Sequence, residues 1–571
     1  MTEFHYCWEW RFRSSPERLW PLVADTNRFN RDAGVPELEL GEVRRGGRRL
    51  LRLRKLGIPI EWEEEPFEWI EPHRFSVVRR YSKGPVAEMR VAVELIGESG
   101  GTFLRYEVWA KPRNALGRVA IPFEIGRRSR VRFEHAFRSY DRQVQEEPIP
   151  REKARLASGG GRRLSAAREV LREQGQPDEL VGRLASVLEH ADDLTVTRLR
   201  PYALADTWGA TRREVLELFL HATRAGLLEF RWDLLCPMCR GPQQRAESLR
   251  DVDPHVHCDS CAIDFRVEFE HSVELTFRPA RAIREVEVRE FCVGGPQVTP
   301  HIVAQQLLAP GEERTLDPEL SPGTYRLRTR DGGEVRQLAV APGERPGVPI
   351  VNDSEDEQLF VLERTAWSDQ ALCAAEVTAL QVFRDLFANE ALRPDEPISV
   401  GTLTVLFTDL RDSTRFYLEI GDAPAFGSVM DHLDVLRAAV IAEDGAVVKA
   451  MGDAIMAVFP RPLAAVQAAR RAQRDLAASR NGSRPFRLKV GIHAGPCIAV
   501  TQNERLDYFG STVNLAARLV DLSTGADLIV SSAITSDPEV ADLLGTELSA
   551  APIEATLKGF EDERFEIWSV G

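Results

Sequence analysis

Long apolar runs are missing from this 571-residue chain, and no stretch approaches the roughly twenty apolar residues that a helix needs to cross a bilayer. No membrane association is therefore expected. The first residues, MTEFHYCWEW, have neither the basic start nor the apolar core of a secretory leader, so a cytoplasmic location is expected. An excess of basic charge is missing too. The 88 acidic residues against 74 lysines and arginines give a formal net charge of −14, which argues against a chain-wide nucleic-acid surface. Local basic runs such as RRGGRR read as solvated turns, and nucleic acid is not expected as a partner. Cysteine is scarce, eight in all, too few for a disulfide-stapled extracellular scaffold. What is present, 43% hydrophobic and 28% charged residues, describes a globular multidomain chain, because 571 residues exceed a single hydrophobic core.

Read along its length, the chain divides into units of mixed α+β character. Residues 1–147 open with a strand, pass through a helix over PERLWPLVADTNRF, continue as alternating strands and finish on a helical pattern from about 126 to 146. That order resembles the START-like helix-grip fold, in which a curved sheet wraps a long helix. The resemblance implies an N-terminal pocket for a hydrophobic small-molecule ligand, and an interaction domain with a filled core is the plainer reading beside it. A stretch rich in Gly, Arg and Ser, REKARLASGGGRRLS, marks a boundary. Residues 165–235 carry the helix, turn, helix and apolar exit of a winged-helix-like segment. Its second helix offers Arg212 and Arg213 but also Glu214 and Glu217, which favours a structural or protein-binding role over DNA reading.

Four cysteines then form two CxxC knuckles, Cys236 with Cys239 and Cys258 with Cys261, with eighteen residues between the inner pair. Two knuckles at this spacing place four thiolates around one ion, the zinc-ribbon arrangement expected for 236–265. With all four positions taken by sulfur the Zn2+ would be structural. His255 and His257 read as exposed loop residues, with substitute metal ligands as the alternative, and Cys7, Cys292, Cys373 and Cys497 as reduced core or surface thiols. Residues 266–365, with turns such as SPGTY and RDGGE, suggest a small β-sandwich. Residues 368–392 have helical periodicity and predict one helix coupling the two halves of the chain.

The chemistry concentrates in 398–571. In TLTVLFTDLRDST a β-rich run ends on Asp409 just before Ser413 and Thr414, which can start a helix. About forty residues later, VVKAMGDAIMAVF reads as a hairpin with Lys449 in its first strand and Asp453 beside its turn. The predicted β-α-β-β-α-β order is the ferredoxin-like plan. FTDL with Ser413-Thr414, KAMGD, LDYFGSTVNLAARL and LKGF resemble the class III adenylate and guanylate cyclase catalytic domain over its whole length.

That resemblance implies site roles. Asp409, Asp453 and the carbonyl of Leu410 hold two Mg2+ (or Mn2+) ions per active site, Asn514 positions the ribose, and Arg518 stabilises the pentavalent phosphorus. Lys558 binds the terminal phosphates, while Lys449 and Asp507 read the purine. An aspartate accepts from the 6-amino group of adenine, so ATP is expected over GTP. The family pairs its catalytic domains head to tail, which implies a homodimer with sites shared between chains. One departure is Asp412, where related sequences commonly have glycine. The reading is an adenylate cyclase in signal transduction, regulated by its N-terminal half. Its alternatives are a guanylate cyclase, or a ligand- or DNA-responsive regulator whose cyclase domain is vestigial.

Overall fold

The computed structural model of the protein describes residues 3–571 except 44–47, 56, 146–153, 239, 259–260, 262, 288, 331–334, 366–369, 394–395, 479–486 and 561–563. In the N-terminal segment, strand Gly101–Pro112 alternates strictly, and Thr102, Leu104, Tyr106, Val108 and Ala110 are buried. It pairs antiparallel with Phe4–Phe12 on one side and Val86–Glu98 on the other, and Arg74–Lys83 follows. Helix Arg130–Gln145 buries Ala136, Phe137 and Tyr140 toward this sheet. Rings of Phe29, Tyr106, Phe133 and Phe137 pack between them with centroids 4.8–6.1 Å apart, Phe29 stacked on Phe137 and the other pairs tilted.

The β-rich region forms two layers over a shorter span than 266–365: the pair Glu313–Leu316 and Val348–Val351 packs through Leu316, Val348 and Ile350 on strands between 302 and 364, whose sheet is not separate from the N-terminal one. Strand Glu68–Ile70 leaves an open sheet edge, and Ile302–Leu308 adds to it, with Ala304 opposite Ile70 and Gln305 opposite Trp69. The Trp69 indole N–H donates to the Ile302 carbonyl at 2.9 Å, and the Gln305 amide donates to the Phe67 carbonyl at 2.7 Å, which fixes this join. Gln358–Arg364, Gly323–Thr329 and Arg336–Val340 then extend the same sheet. Val273–Pro279 goes elsewhere, pairing with Leu228–Leu235 beside the cysteine knuckles. An open edge explains both outcomes, since unpaired N–H and C=O groups accept any strand that reaches them.

Helix Arg212–Arg224 starts on a capping box between Thr211 and Glu214, and Arg213 pairs with Glu217. It buries Val215, Leu216, Leu218, Phe219, Leu220 and Ala222, so most of its surface packs inward. The 368–392 segment also differs from expectation. Two short helices, Ala374–Thr378 and Gln381–Leu386, replace the single one, with Leu380 extended between them.

The C-terminal sheet runs Ala446–Met451, Ala454–Phe459, Ile398–Leu410, Leu488–Gln502, Leu528–Ser531, Ile567–Val570, Ala550–Ile553. The two strands expected around KVGIHAGPCIAV are one, Leu488–Gln502, whose far half pairs with Arg505–Phe509. Helices Asp422–Ala442 and Pro462–Ala478 share a core with one face of the sheet through Val429, Leu436, Val440, Ala465 and Ala469. Helix Ser511–Leu519 covers the other face. The apolar core does not stop at residue 398: Phe219, Trp232, Phe383, Val400, Leu403 and Tyr508 belong to one cluster. The catalytic segment and the region ahead of it are thus welded by burial.

Candidate active site

Strand Ile398–Leu410 reads as an almost continuous apolar run because helices cover both faces of its sheet, and it delivers Asp409 at its end, opposite Lys489. The hairpin delivers Asp453 next to Gly452, whose φ of +69° suits glycine at a tight turn. These two carboxylates feel each other. Burial first, and the Asp453 charge next, hold the Asp409 carboxyl above its ordinary pKa, with Lys489 opposing. The amide of Leu410, whose side chain is buried, donates to Asp409. Asp453 Oδ2 is buried with no hydrogen-bond partner. A pair of converging carboxylates with an orphaned oxygen is costly alone and is satisfied by a cation, so the donor set fits hard divalent ions.

Behind the hairpin lies a residue that sequence reasoning missed. His432 on helix Asp422–Ala442 is buried against the backbone of Asp453, and burial pushes its pKa down to about 4 although Asp453 opposes this. It is neutral at physiological pH. The sequence held only a weak signal for it, a lone histidine between Asp431 and Asp434 on a mixed helix.

Lys449 and Asp507 meet within one chain, Nζ to Oδ2 at 2.7 Å, with the lysine also 5.4 Å from the centre of the Phe509 ring. Asp507 is nearly buried, its side chain 7% exposed, and its Oδ1 accepts from the Tyr508 amide at 2.8 Å. Asn514, Arg518 and Asp521 all lie exposed along the helix that starts at Ser511, while Val513, Ala516 and Val520 are buried opposite, as the four-residue spacing predicts. Lys558 is exposed in the loop after Ala550–Ile553. Among the described residues neither Arg518 nor Lys558 has an ion-pair partner, and such free cations suit phosphoryl oxygens.

Asp412 has a conformational explanation. Its φ is +60°, the left-handed region, where glycine is favoured and aspartate is among the better tolerated alternatives. Its side chain is 76% exposed and 3.8 Å from the Arg411 guanidinium.

Away from these residues, the sulfurs of Cys236, Cys258 and Cys261 lie within 4.8 Å of one another, and Cys239 lies outside the described residues. The Met238 amide donates to Cys236 Sγ and the Cys261 amide to Cys258 Sγ, each at 3.4 Å, a pattern that stabilises thiolates. His255 and His257 are exposed, and His257 Nδ1 sits 2.8 Å from Asp264 Oδ1. A cavity of about 120 Å3 opens beside Cys261 at the seam between Phe67, Trp69, Gln305 and Arg328. Arg328 and Glu64 on its wall are engaged by Glu363 and Arg79.

Residues 396–539 match the family described as the adenylate and guanylate cyclase catalytic domain, and residues 163–291 match a family of unknown function, DUF5939. An uncharacterized protein of Mycobacterium tuberculosis strain H37Rv is 33% identical over 153 residues, 26% of this chain and 50% of that protein. Adenylate cyclase 1 of Rhizobium meliloti is 28% identical over 152 residues, 24% of this chain and 23% of its own length. This chain therefore spans half the length of the first relative and less of the second. Among solved structures, the adenylyl cyclase CyaB from P. aeruginosa aligns at 23% identity and a TM-score of 0.27, covering 31% of this chain and 96% of that one. The guanylate cyclase domain of RhGC from Catenaria anguillulae aligns at 17% and 0.27, covering 30% and 97%.

Proposed function

With an adenylate and guanylate cyclase catalytic domain at its C-terminus as the premise, we propose that the protein converts ATP to 3′,5′-cyclic AMP and pyrophosphate at sites shared across a homodimer. The observation that carries this reading is the Asp409 and Asp453 pair with its orphaned, buried carboxylate oxygen. Two Mg2+ or Mn2+ ions bound there would acidify the ribose 3′-hydroxyl and neutralise the triphosphate. The chain's own residues do the rest. Arg518 offers a planar fork to the α-phosphoryl oxygens as charge develops, Asn514 on the same exposed face orients the ribose, and Lys558 takes the terminal phosphates. Asp507 accepts from the adenine 6-amino group while Lys449 donates to the ring, a pairing that leaves guanine with an unmatched oxygen.

Several exposed apolar side chains support the dimer. Phe426 is 62% exposed, Met451 45% and Phe509 41%, the last two beside the hairpin turn and the Lys449 contact. Burying them needs a second chain, and a C2 pairing covers both copies at once. The cysteine cluster we assign to one structural Zn2+ per chain, with Cys239 as fourth ligand, and the N-terminal half to regulation.

The test is direct. The purified chain incubated with Mg-ATP or Mn-ATP, and in parallel with the GTP complexes, should yield cyclic AMP in excess over cyclic GTP. Absence of both products with both metals would refute catalysis, and an excess of cyclic GTP would favour the guanylate alternative.

A further inference from the structure

The helix pair Ala374–Thr378 and Gln381–Leu386 lies outside the segment with the cyclase motifs, yet its side chains reach both strands that carry Lys449 and Asp507. Gln381, 4% exposed, accepts through Oε1 from the Val447 amide at 2.8 Å. That amide borders a register shift between Val447 and Lys449, where the hairpin ladder is interrupted. A bulge re-aims the side chains beside it and leaves a backbone group in need of another partner. Gln381 is itself held: its Nε2 donates to Asp385 Oδ1 at 2.8 Å, and Asp385 Oδ2 pairs at 2.5 Å with Arg437.

The other strand is gripped in the same way. Arg384 Nη2 donates to the Leu506 carbonyl at 2.6 Å and lies 5.8 Å from the centre of the Tyr508 ring. The Tyr508 hydroxyl, fully buried, donates to Thr378 Oγ1 at 3.0 Å. Leu506 and Tyr508 flank Asp507, so both of its neighbours are fixed from behind. No hydrogen bond joins this helix pair to Asp409 or Asp453 among the described residues.

We propose that Thr378, Gln381 and Arg384 are positioning residues for nucleobase selection, holding the Lys449 bulge and the Asp507 strand at the separation that admits adenine. This rests on the reading that Lys449 and Asp507 contact the base. It makes base preference, rather than metal binding, the property through which the preceding domains can act on the site.

The test uses the full chain with Gln381→Leu, Arg384→Ala and Arg384→Lys, each checked for folding by thermal melting. Equilibrium binding of α,β-methylene-ATP and α,β-methylene-GTP is measured beside kcat and KM for ATP and GTP. Losing one such hydrogen bond should weaken ATP analogue binding and shrink the ATP-to-GTP preference by about five- to tenfold, with kcat and the half-saturating Mg2+ concentration within about twofold. Arg384→Lys, which keeps a donor for the Leu506 carbonyl, should retain most of the preference. Arg461→Ala, which removes an exposed ion pair with Glu539 beyond the strands that carry the base readers, should leave it unchanged. Folded Gln381→Leu and Arg384→Ala proteins with wild-type preference would overturn the proposal while leaving catalysis intact. A wild type that binds with a base preference lost in the variants, yet makes no product, would overturn the catalytic reading alone. A chain that binds neither analogue would overturn both.

Discussion

The proposal that the active site is shared between two chains can be tested by breaking it twice. Asp409→Ala removes one of two mutually repelling carboxylates, at the loss of its Leu410 amide bond and its attraction to Lys489, and Arg518→Ala truncates an exposed side chain that has no ion-pair partner among the described residues. The exposed Arg518→Ala change should alter stability by no more than about 0.5 kcal/mol, and the half-buried Asp409→Ala is checked for folding by thermal melting. Loss of activity in either variant would then report chemistry: a missing metal ligand in one, missing transition-state charge stabilisation in the other. Each homodimer has two defective sites. If both groups of a site come from one chain, mixing restores nothing. If they come from opposite chains, a mixed dimer gathers both lesions in one site and leaves its twin whole. Random exchange makes about half the dimers mixed, so about a quarter of all sites should recover, and mixed dimers isolated through two affinity tags should show about half the wild-type rate. Cyclic AMP formation measured by chromatography gives the answer. Tag-verified mixed dimers as inactive as their parents would refute the head-to-tail arrangement.

Four further outcomes are expected. Lys449→Glu with Asp507→Cys should shift kcat/KM from ATP toward GTP, since a mismatched buried polar group costs about 1–3 kcal/mol, and an unchanged ATP preference would remove these two from base reading. Asp412→Gly should fold as well as the parent, because φ at +60° suits glycine, and should raise kcat/KM by removing a carboxylate near the triphosphate; a tenfold loss would show that the carboxylate is used. Metal analysis of protein prepared without chelators should find one zinc per chain, and Cys236→Ser should lower both zinc content and folding yield; iron, or no metal, would contradict the assignment. Glu363 is buried, and although burial pushes its pKa up, His301, Arg328 and Arg326 outweigh this and hold it at about 2 against an ordinary 4.5. Its contribution, about 3 kcal/mol, is therefore complete above pH 5 and lost as pH falls toward 2, so melting temperatures followed down from pH 6 should fall less steeply for Glu363→Gln, which itself starts lower because Arg328 loses its buried partner.

Much of the catalytic segment could be read without coordinates because its signals are local. Alternation and apolar runs marked the strands, Gly452 marked the turn that presents Asp453, and the spacing of Asn514 and Arg518 placed them on one helix face. The approach of Cys236, Cys258 and Cys261 was foreshadowed too, as CxxC spacing on a tight loop keeps sulfurs close. Residue type also told which carboxylates sit at strand ends. These features depend on a handful of neighbouring residues, and sequence states them directly.

Long-range pairing had no such local record. That Ile70 and Ala304 lie side by side, joining one layer of the expected sandwich to the N-terminal sheet, depends on which edge was left open more than two hundred residues earlier. The break at Leu380 has no proline or glycine to announce it; Gln381 and Arg384 gain partners at Val447 and Leu506 only once the catalytic sheet stands beside them. The same holds for Lys449 with Asp507, for His432 behind Asp453, and for the core that runs from Phe219 to Tyr508. Asp412 shows the division in one residue. Sequence recorded that glycine had been replaced, while only the fold revealed a backbone angle that aspartate can also adopt. Propensity and spacing act over a few bonds, whereas burial and hydrogen-bond satisfaction are decided by whatever the chain brings together last.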